Sequence, residues 1–599
     1  MCGIVACWGA SNATKRVVQG LKRLEYRGYD SWGVAVPMEA QIGVYKNLGP
    51  VSEVDDESLL PTAQDALGHT RWATHGAVDL SNCHPHVARD GSFALVHNGI
   101  IENYQALKSK LEAQGVNFRT DTDTEVVLRL IERIYDSGDS GSEAFEESVR
   151  MAFLALQGRN TLAVYHVLNR RLVAIKNGSP LVVGCPLESG ADAPDYMLAS
   201  DPLAFADHAD QILALQNGEL ISCGGGQPLS LRDVASGGIK PLSWEPFKPI
   251  DSPVDKGDYP HHMLKEIGEQ WRTIARAARI PEQQLKRLAQ RLESTDCVYL
   301  TGAGGAFFTA EQIAFLLRSQ ANIKAAAVPA YEFSSYLPLM TPDDLVIAVS
   351  QSGETADTLE AVEACQAKHI FCVALVNAEA TSLARLSDMT LTNRSGPEIC
   401  VLSTKSATAQ ITFGYVLSRY LVDGADASRQ IDRLCQELCK ALESSYINTL
   451  RSVATSLKAA RQLFILGRDC FYNTARIAAL NIKEASYVHA EAFSGGELKH
   501  GVIALIEPGT PVLLYVDDCD AESVAAAAEL KARGARILAV GYRNNELFDE
   551  FIPFPTGSRE MEKTIASLIP GQLLAYFLAV GRGHNPDRPR NLAKSVTVK

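Results

Sequence analysis

The stretch Asp344-Leu345-Val346-Ile347-Ala348-Val349-Ser350-Gln351-Ser352-Gly353-Glu354-Thr355-Ala356-Asp357-Thr358 decides how most of the chain is read. Leu345 to Val349 is a short apolar run with the length and β-branched content of a buried parallel strand. It ends in a cluster of hydroxyls, after which a helical pattern begins with Leu359, Val362 and Ala364. A strand–loop–helix junction leaves unpaired N–H groups at the helix start. Those groups and the positive end of the helix dipole attract anions. Ser350, Gln351, Ser352 and Thr355 add side-chain donors, and Gly353 lets a ligand approach the backbone. Two readings follow. One is a capped helix N-terminus with Ser352 or Thr355 as cap. The other is a phosphate cradle at the carboxyl end of a strand, where open α/β sheets bind ligands.

The plan repeats outward. Upstream, Val298-Tyr299-Leu300 leads into Gly302-Ala303-Gly304-Gly305 and an Ala/Phe-rich helix. That loop alone is a weak dinucleotide signal, because no acidic residue is clearly placed for a ribose. Strand and helix alternate to about Asn393. A second copy opens at Leu463-Phe464-Ile465-Leu466-Gly467-Arg468, with further strands at Pro511–Val516 and Ile537–Val540. Two doubly wound α/β units are expected. Between them Ser403-Thr404-Lys405 opens a helix, and Cys435 and Cys439 stand about one turn apart on a later one, a core-packing pattern. The adjacent His261 and His262 point in different directions on a helix, which argues against a metal pair. Glu484 and His500 admit an ion-pair account, Lys483 with Glu484, and a catalytic one, base and acid/base.

The N-terminal part is different. Cys2-Gly3-Ile4-Val5-Ala6-Cys7-Trp8 reads as a strand, and Met1 precedes a small residue, so its removal is expected. Cys2 would then carry a free α-amine with a pKa near ~8, able to act as base for its own thiol. The alternative is a buried cysteine in an edge strand, the reading that fits Cys7. Gly68-His69-Thr70-Arg71-Trp72-Ala73-Thr74-His75-Gly76 includes an arginine fork suited to a carboxylate. Phe93–His97 is a strand followed by Asn98-Gly99, either a hairpin turn or an oxyanion hole. Thr120-Asp121-Thr122-Asp123-Thr124-Glu125 precedes a helix; one acid suits an N-cap and another a substrate amine. Leu162–Val167 and Leu172–Ile175 alternate as strands. A composition shift at Gly237-Gly238 opens a segment with Pro241, Pro246, Pro249 and Pro253, read as a linker.

Length and charge narrow the function classes. At roughly 150 residues per domain, 599 residues give three to five domains or half-domains. A net charge of −13 without a basic run argues against a nucleic-acid partner. Thirteen scattered cysteines suit a reducing cytoplasm rather than a disulfide framework. No signal peptide is recognised, and no apolar run reaches the ~18 residues of a membrane span; Leu573 to Val580 is read as too short.

Met1-Cys2-Gly3-Ile4-Val5, Arg23-Leu24-Glu25-Tyr26-Arg27-Gly28-Tyr29-Asp30-Ser31, the Arg71-Trp72 box, His97-Asn98-Gly99-Ile100-Ile101-Glu102-Asn103 and Thr122-Asp123-Thr124-Glu125 resemble the class II glutamine amidotransferase domain. More narrowly, nearly the whole chain resembles the glutamine–fructose-6-phosphate aminotransferase (isomerising) family. The resemblance implies an α/β protein: a four-layer α/β/β/α Ntn-hydrolase sandwich over residues 1–236, a linker over 237–257, two doubly wound, flavodoxin-like SIS (sugar isomerase) subdomains over 258–430 and 431–585, and a tail over 586–599 that closes the sugar site. Cys2 would attack the glutamine amide, and Asn98 and Gly99 would form the oxyanion hole. Arg71, Thr74, His75 and Asp123 would hold glutamine, and Trp72 would gate the ammonia route. Ser350, Gln351, Ser352 and Thr355 would hold the phosphate of fructose 6-phosphate, with Ser403 on the open sugar. His500, from the neighbouring subunit of a homodimer, would open the ring. Lys594 would form a Schiff base at C2, and Glu484 would move a proton between C1 and C2. The resemblance implies no metal and no cofactor.

The chain departs from that pattern twice. Thr301-Gly302-Ala303-Gly304 stands where the family has Cys-Gly-Thr-Ser, and Leu480-Asn481-Ile482-Lys483-Glu484 replaces Leu-Lys-x-Lys-Glu. Two alternatives stay open: an amidotransferase for another keto-sugar phosphate, and a sugar-phosphate-binding regulatory protein with a weakened isomerase half.

Overall fold

In a computed structural model, the chain divides into two compact units, residues 1–251 with 593–599 and residues 252–592. The structure describes residues 2–53, 60–136, 141–186, 195–247, 256–379, 381–424, 427–442, 445–517, 520–557 and 559–597.

In the first unit, two antiparallel sheets stack face to face. Gly3–Trp8 lies inside an eight-stranded sheet, between Tyr196–Ala199 and Asp65–Arg71. Phe93–Gly99, Asn160–His166 and Arg171–Asn177 run at the centre of a seven-stranded one. Because side chains alternate faces along a strand, Ile4, Ala6 and Leu67 point inward and meet Ala94, Val96 and Ala163. Val5 and Cys7 point outward onto Val17, Val18 and Leu21 of the helix Ala13–Arg23. On the opposite side Leu95, Leu162 and Val164 pack on Val127, Leu128, Phe145 and Val149 of two helices, Asp123–Tyr135 and Ser142–Leu154. The result is the α/β/β/α layering. Cys7 is buried in an interior strand, not the edge strand expected of it. The start of the segment read as a linker extends both sheets: Ile239–Lys240 pairs with Gln227–Asp233, and Glu245–Pro246 with Gln211–Ala214. An edge is where a proline can join a sheet, since its missing N–H leaves no ladder bond unmade. Pro249 and Pro253 lie outside the described residues.

The second unit contains two five-stranded parallel sheets. The first is ordered Ala325–Pro329, Val298–Gly302, Leu345–Val349, Phe371–Val376, Met389–Thr392. The second is ordered His489–Ser494, Gln462–Gly467, Pro511–Val516, Arg536–Gly541, Glu550–Pro553. Both follow the 2-1-3-4-5 order of a flavodoxin-like sheet, so the duplication is one of topology. Leu345, Ile347 and Val349 pack into one core and Val346 and Ala348 into another, which explains the unbroken apolar run of a strand covered on both faces. One expectation is corrected here. The helical stretch Lys563–Gly581 is 19 residues long and apolar enough to cross a membrane by length and composition, but 89% of its apolar window is buried within the protein. Ser567, Gly571 and Gln572 interrupt the apolar run, so no long uniform block stood out in the sequence.

Candidate functional site

In the first unit, Cys2, Arg71, Trp72, Thr74, His75, Asn98, Gly99 and Asp123 line one pocket. Cys2 precedes an interior strand, so its thiol is held at the sheet's end. The Trp72 N–H donates to Cys2 Sγ at 3.3 Å, and Sγ lies 3.5 Å from the Trp72 carbonyl. Desolvation pushes the Cys2 thiol pKa up, while the nearby N-terminal charge, the Trp72 N–H and Arg71 pull it down. The hairpin reading of Asn98-Gly99 does not hold, because the strand continues through Gly99. Asn98 Nδ2 donates to the Cys2 carbonyl at 2.9 Å. Gly99 has φ +148°, and a Cβ there would lie 2.6 Å from the Arg159 carbonyl, so only glycine fits.

The remaining pocket residues divide by what already occupies them. Arg71 donates to the carbonyls of His75, Gly76 and Ala77, holding its own loop in shape. Asp123 Oδ2 accepts the Ile101 N–H at 2.9 Å. The helix cap is Thr122, which accepts from the Glu125 N–H, rather than one of the acids. His75 Nδ1 is buried with no hydrogen-bond partner among the described residues, which makes it a polar atom open to a ligand. The pocket is partly open to solvent, with about 440 Å³ of empty space that includes open solvent.

Sequence reasoning missed several neighbours. His84, His97, Thr122, Thr124, Ser179 and Thr597 also line the pocket. Thr597 comes from the C-terminal tail, its Oγ1 lying 3.2 Å from Ser179 Oγ. No local pattern marks a contact between positions so far apart in the chain.

In the second unit, chain order reverses between the neighbouring strands Val298–Gly302 and Leu345–Val349, and the loops leaving both flank that switch point. Thr355 is the N-cap of the helix Ala356–Ala367, yet its side chain does not cap it. Thr355 Oγ1 instead lies 3.1 Å from Ser350 Oγ, which accepts the Gly353 N–H. Ser352 Oγ accepts the Glu354 N–H. Two hydroxyls thus shape the loop and leave the first turn of the helix without a side-chain cap. Gly353 has φ +65°, and a Cβ there would lie 2.4 Å from Thr381 Oγ1. Gly353→Ala should therefore destabilise by about 2–5 kcal/mol, combining left-handed strain with overpacking. Calorimetric melting of the intact protein would show the shift, and phosphate affinity should fall with it.

Ser403 sits across the same crevice. A Cβ on Gly305 would meet Ser403 Cβ at 3.3 Å and Leu480 Cδ2 at 4.0 Å. Glu484 follows one turn later on the helix Cys470–Ser486 and is half-buried. His500 is exposed at the end of the 3-10 turn Glu497–His500. Lys594 belongs to the tail grouped with the first unit. Ser350, Gln351, Ser352, Thr355 and Ser403 are thus gathered at the switch point.

The second sheet keeps the backbone but not the chemistry. Asp469 has φ +50° where Gly304 has φ +55°, each just before its helix. Asp517, after the third strand in sequence, pairs with Lys563, and Arg468 pairs with Asp520 and Glu522. Acids stand at the end of this sheet where the first copy presents hydroxyls. Among the described residues no cluster of His, Cys, Asp or Glu could hold a metal ion, and the described cysteines are free.

Comparison with known proteins agrees with this division. The glutamine amidotransferase domain family matches residues 49–168, and the SIS domain family matches residues 292–418 and 456–546. Glutamine–fructose-6-phosphate aminotransferase (isomerizing) of Pyrococcus horikoshii is 38% identical, over 100% of both chains. The Thermus thermophilus protein of the same name is 36% identical, again over 100% of both. Among solved structures, the C-terminal domain of glucosamine-fructose-6-phosphate aminotransferase from Francisella tularensis aligns with TM-score 0.50 and 25% identity. It covers 56% of this chain and 100% of its own.

Proposed function

The chain belongs to the glutamine–fructose-6-phosphate aminotransferase (isomerizing) family, and we propose that it transfers the amide nitrogen of glutamine to fructose 6-phosphate, giving glucosamine 6-phosphate and glutamate. The observation that carries this reading is the pairing, in one chain, of a Cys2–Asn98–Gly99 pocket with a hydroxyl-rich loop at the switch point of a parallel sheet.

Cys2 Sγ attacks the glutamine amide carbon, its own freed α-amine taking the thiol proton and passing it to the leaving nitrogen as the C–N bond breaks; ammonia departs, and water hydrolyses the thioester to release glutamate. Asn98 Nδ2 and the Gly99 N–H stabilise the developing oxyanion. Arg71 and Asp123 hold the amino-acid carboxylate and amine, and Thr74 and the open Nδ1 of His75 complete the pocket. Arg71 must then share its donors between loop carbonyls and the ligand. Trp72 gates the ammonia route, and a dry passage keeps ammonia unprotonated.

The sugar phosphate binds the N–H groups after Leu345–Val349 together with Ser350, Gln351, Ser352 and Thr355. Ser403 contacts the open chain. His500, supplied by the neighbouring subunit of a homodimer, opens the ring; Lys594 forms a Schiff base at C2 that ammonia displaces; Glu484 shuttles the proton between C1 and C2. Free cysteines throughout the described residues suit the cytoplasm.

Asn481 supports keeping a second acceptor in view: it is buried one turn before Glu484, and its Nδ2 lacks a partner among the described residues. The test supplies amide-¹⁵N glutamine and fructose 6-phosphate to protein whose Met1 removal is confirmed by mass. Label in glucosamine 6-phosphate is the expected result. Label in free ammonia alone would refute the acceptor, and other ketose phosphates would then be screened.

A further inference from the structure

Four buried histidines, His69, His84, His86 and His97, lie beside or beneath the Cys2 pocket. None of them has a part in the reaction described above. His69 is fully buried and does not line the pocket. Its contact with the groups assigned to the reaction is with Asn98.

The hydrogen bonds fix a direction. His69 Nε2 lies 3.1 Å from the backbone carbonyl of His97 and 3.0 Å from the side-chain oxygen position of Asn98. A carbonyl can only accept, so the hydrogen bond to His97 is made with the proton on Nε2, and His84 Nδ1, 3.2 Å from His69 Nδ1 and 3.3 Å from its Nε2, is then the donor to the bare Nδ1. The Asn98 atom facing that N–H must then be the oxygen, which turns the amide nitrogen toward Cys2, where Nδ2 donates to the Cys2 carbonyl at 2.9 Å. Amide orientation is an inference from neighbours, and here the His97 backbone carbonyl selects it.

We propose that His69 is a positioning residue that sets the polarity of Asn98, keeping its N–H donors aimed at the amide carbonyl of glutamine. The proposal rests on the oxyanion reading of Asn98. An oxyanion donor is worth most when it needs no reorganisation as charge develops. Without His69, the Asn98 amide can turn over and present its oxygen to a developing negative charge. The ring of His69 is itself held: His84 packs edge-on against it with centroids 4.3 Å apart, and the Asn98 and His97 oxygens fix its Nε2 side. Burial lowers the His69 pKa to about 3, so the imidazole stays neutral across the physiological range.

The test is a double-mutant cycle on the full chain, reading kcat and KM for glutamine hydrolysis. His69→Phe should lower kcat roughly 100-fold, as loss of an oxyanion donor does, with KM changed less than threefold. His69→Gln, which can still donate an N–H, should recover at least tenfold of that loss. In an Asn98→Ala background, His69→Phe should cost less than a further threefold, because the residue through which it acts is gone. Losses that multiply would overturn the proposal, as would a loss falling on KM. A near-normal rate in Asn98→Ala would overturn the oxyanion reading and this proposal together; a large Asn98 effect with multiplying losses would overturn this proposal alone. If His69→Phe does not fold, His69→Gln replaces it in the cycle: a loss in the parent protein that vanishes with Asn98→Ala supports the assignment, and one that persists overturns it.

Discussion

Cys2→Ala should abolish glutamine-dependent amination, by at least ~10⁴-fold in kcat, because no other group in the pocket can form the covalent intermediate. Among the described residues that line the pocket Cys2 carries the one thiol, and its immediate hydrogen-bond partners are the N–H and carbonyl of Trp72. Removing it takes away one weakly bonded atom from a half-buried position, so the cost to stability should be below about 1 kcal/mol. The second unit has its own cores, so fructose 6-phosphate affinity, measured by calorimetry, should stay within threefold of the parent. Cys2→Ser is the sharper variant, since a serine hydroxyl keeps the shape but not the acidity or softness of the thiol. It should also lose at least ~10³-fold. Persistent glutamate release by Cys2→Ala would refute the assigned nucleophile.

What could be read in advance depended on whether the information was local. Leu345–Val349 was legible because a strand buried on both faces must be apolar at every position, and this one is. The layered first unit was less so: alternation marked strands such as Asn160–His166, but which strands become neighbours is set by long-range pairing, as when Gly3–Trp8 takes Asp65–Arg71 and Tyr196–Ala199 on its two sides. Asn98-Gly99 shows a local signal overruled. The dipeptide favours a tight turn, yet here glycine serves a close approach to the Arg159 carbonyl inside a continuing strand. Thr597 and Ser179 could not be found from spacing, since tertiary folding alone brings the tail to the pocket. The apolar Lys563–Gly581 stretch exposes a limit of composition: a core helix covered by other helices reads much like a membrane segment. Pocket polarity was equally hidden. That Arg71 donates to its own loop, and that His69 lies within hydrogen-bond distance of Asn98, are facts of geometry rather than of residue type.

Glu484→Gln should lower glucosamine 6-phosphate formation by about 10³-fold, within the range expected for a lost general base, while leaving glutamine hydrolysis by the first unit nearly intact. The substitution preserves side-chain size, so the loss would report proton transfer and not packing. Position supports the role. Glu484 lies one turn beyond Leu480, whose Cδ2 would be 4.0 Å from a Cβ on Gly305 near the switch point, so the carboxylate is carried on a helix that passes beside it. The discriminating measurement is exchange of the C1 hydrogen of fructose 6-phosphate with solvent deuterium, followed by NMR without glutamine. Cys2→Ala should exchange at the parent rate, because the Lys594 Schiff base at C2 already acidifies the C1 hydrogen before ammonia displaces it. Glu484→Gln should exchange at least 100-fold more slowly, with sugar-phosphate affinity within threefold. Equal exchange in Glu484→Gln and the parent would move the base to another residue. Loss of exchange together with loss of binding would make Glu484 a binding group. Asn481→Lys sharpens the comparison: a cation one turn from Glu484, in place of the orphan Asn481 donor, would stabilise the carboxylate and lower its basicity. If Glu484 is the base, that variant should shift the pH dependence of exchange downward, and in a Glu484→Gln background the shift should disappear.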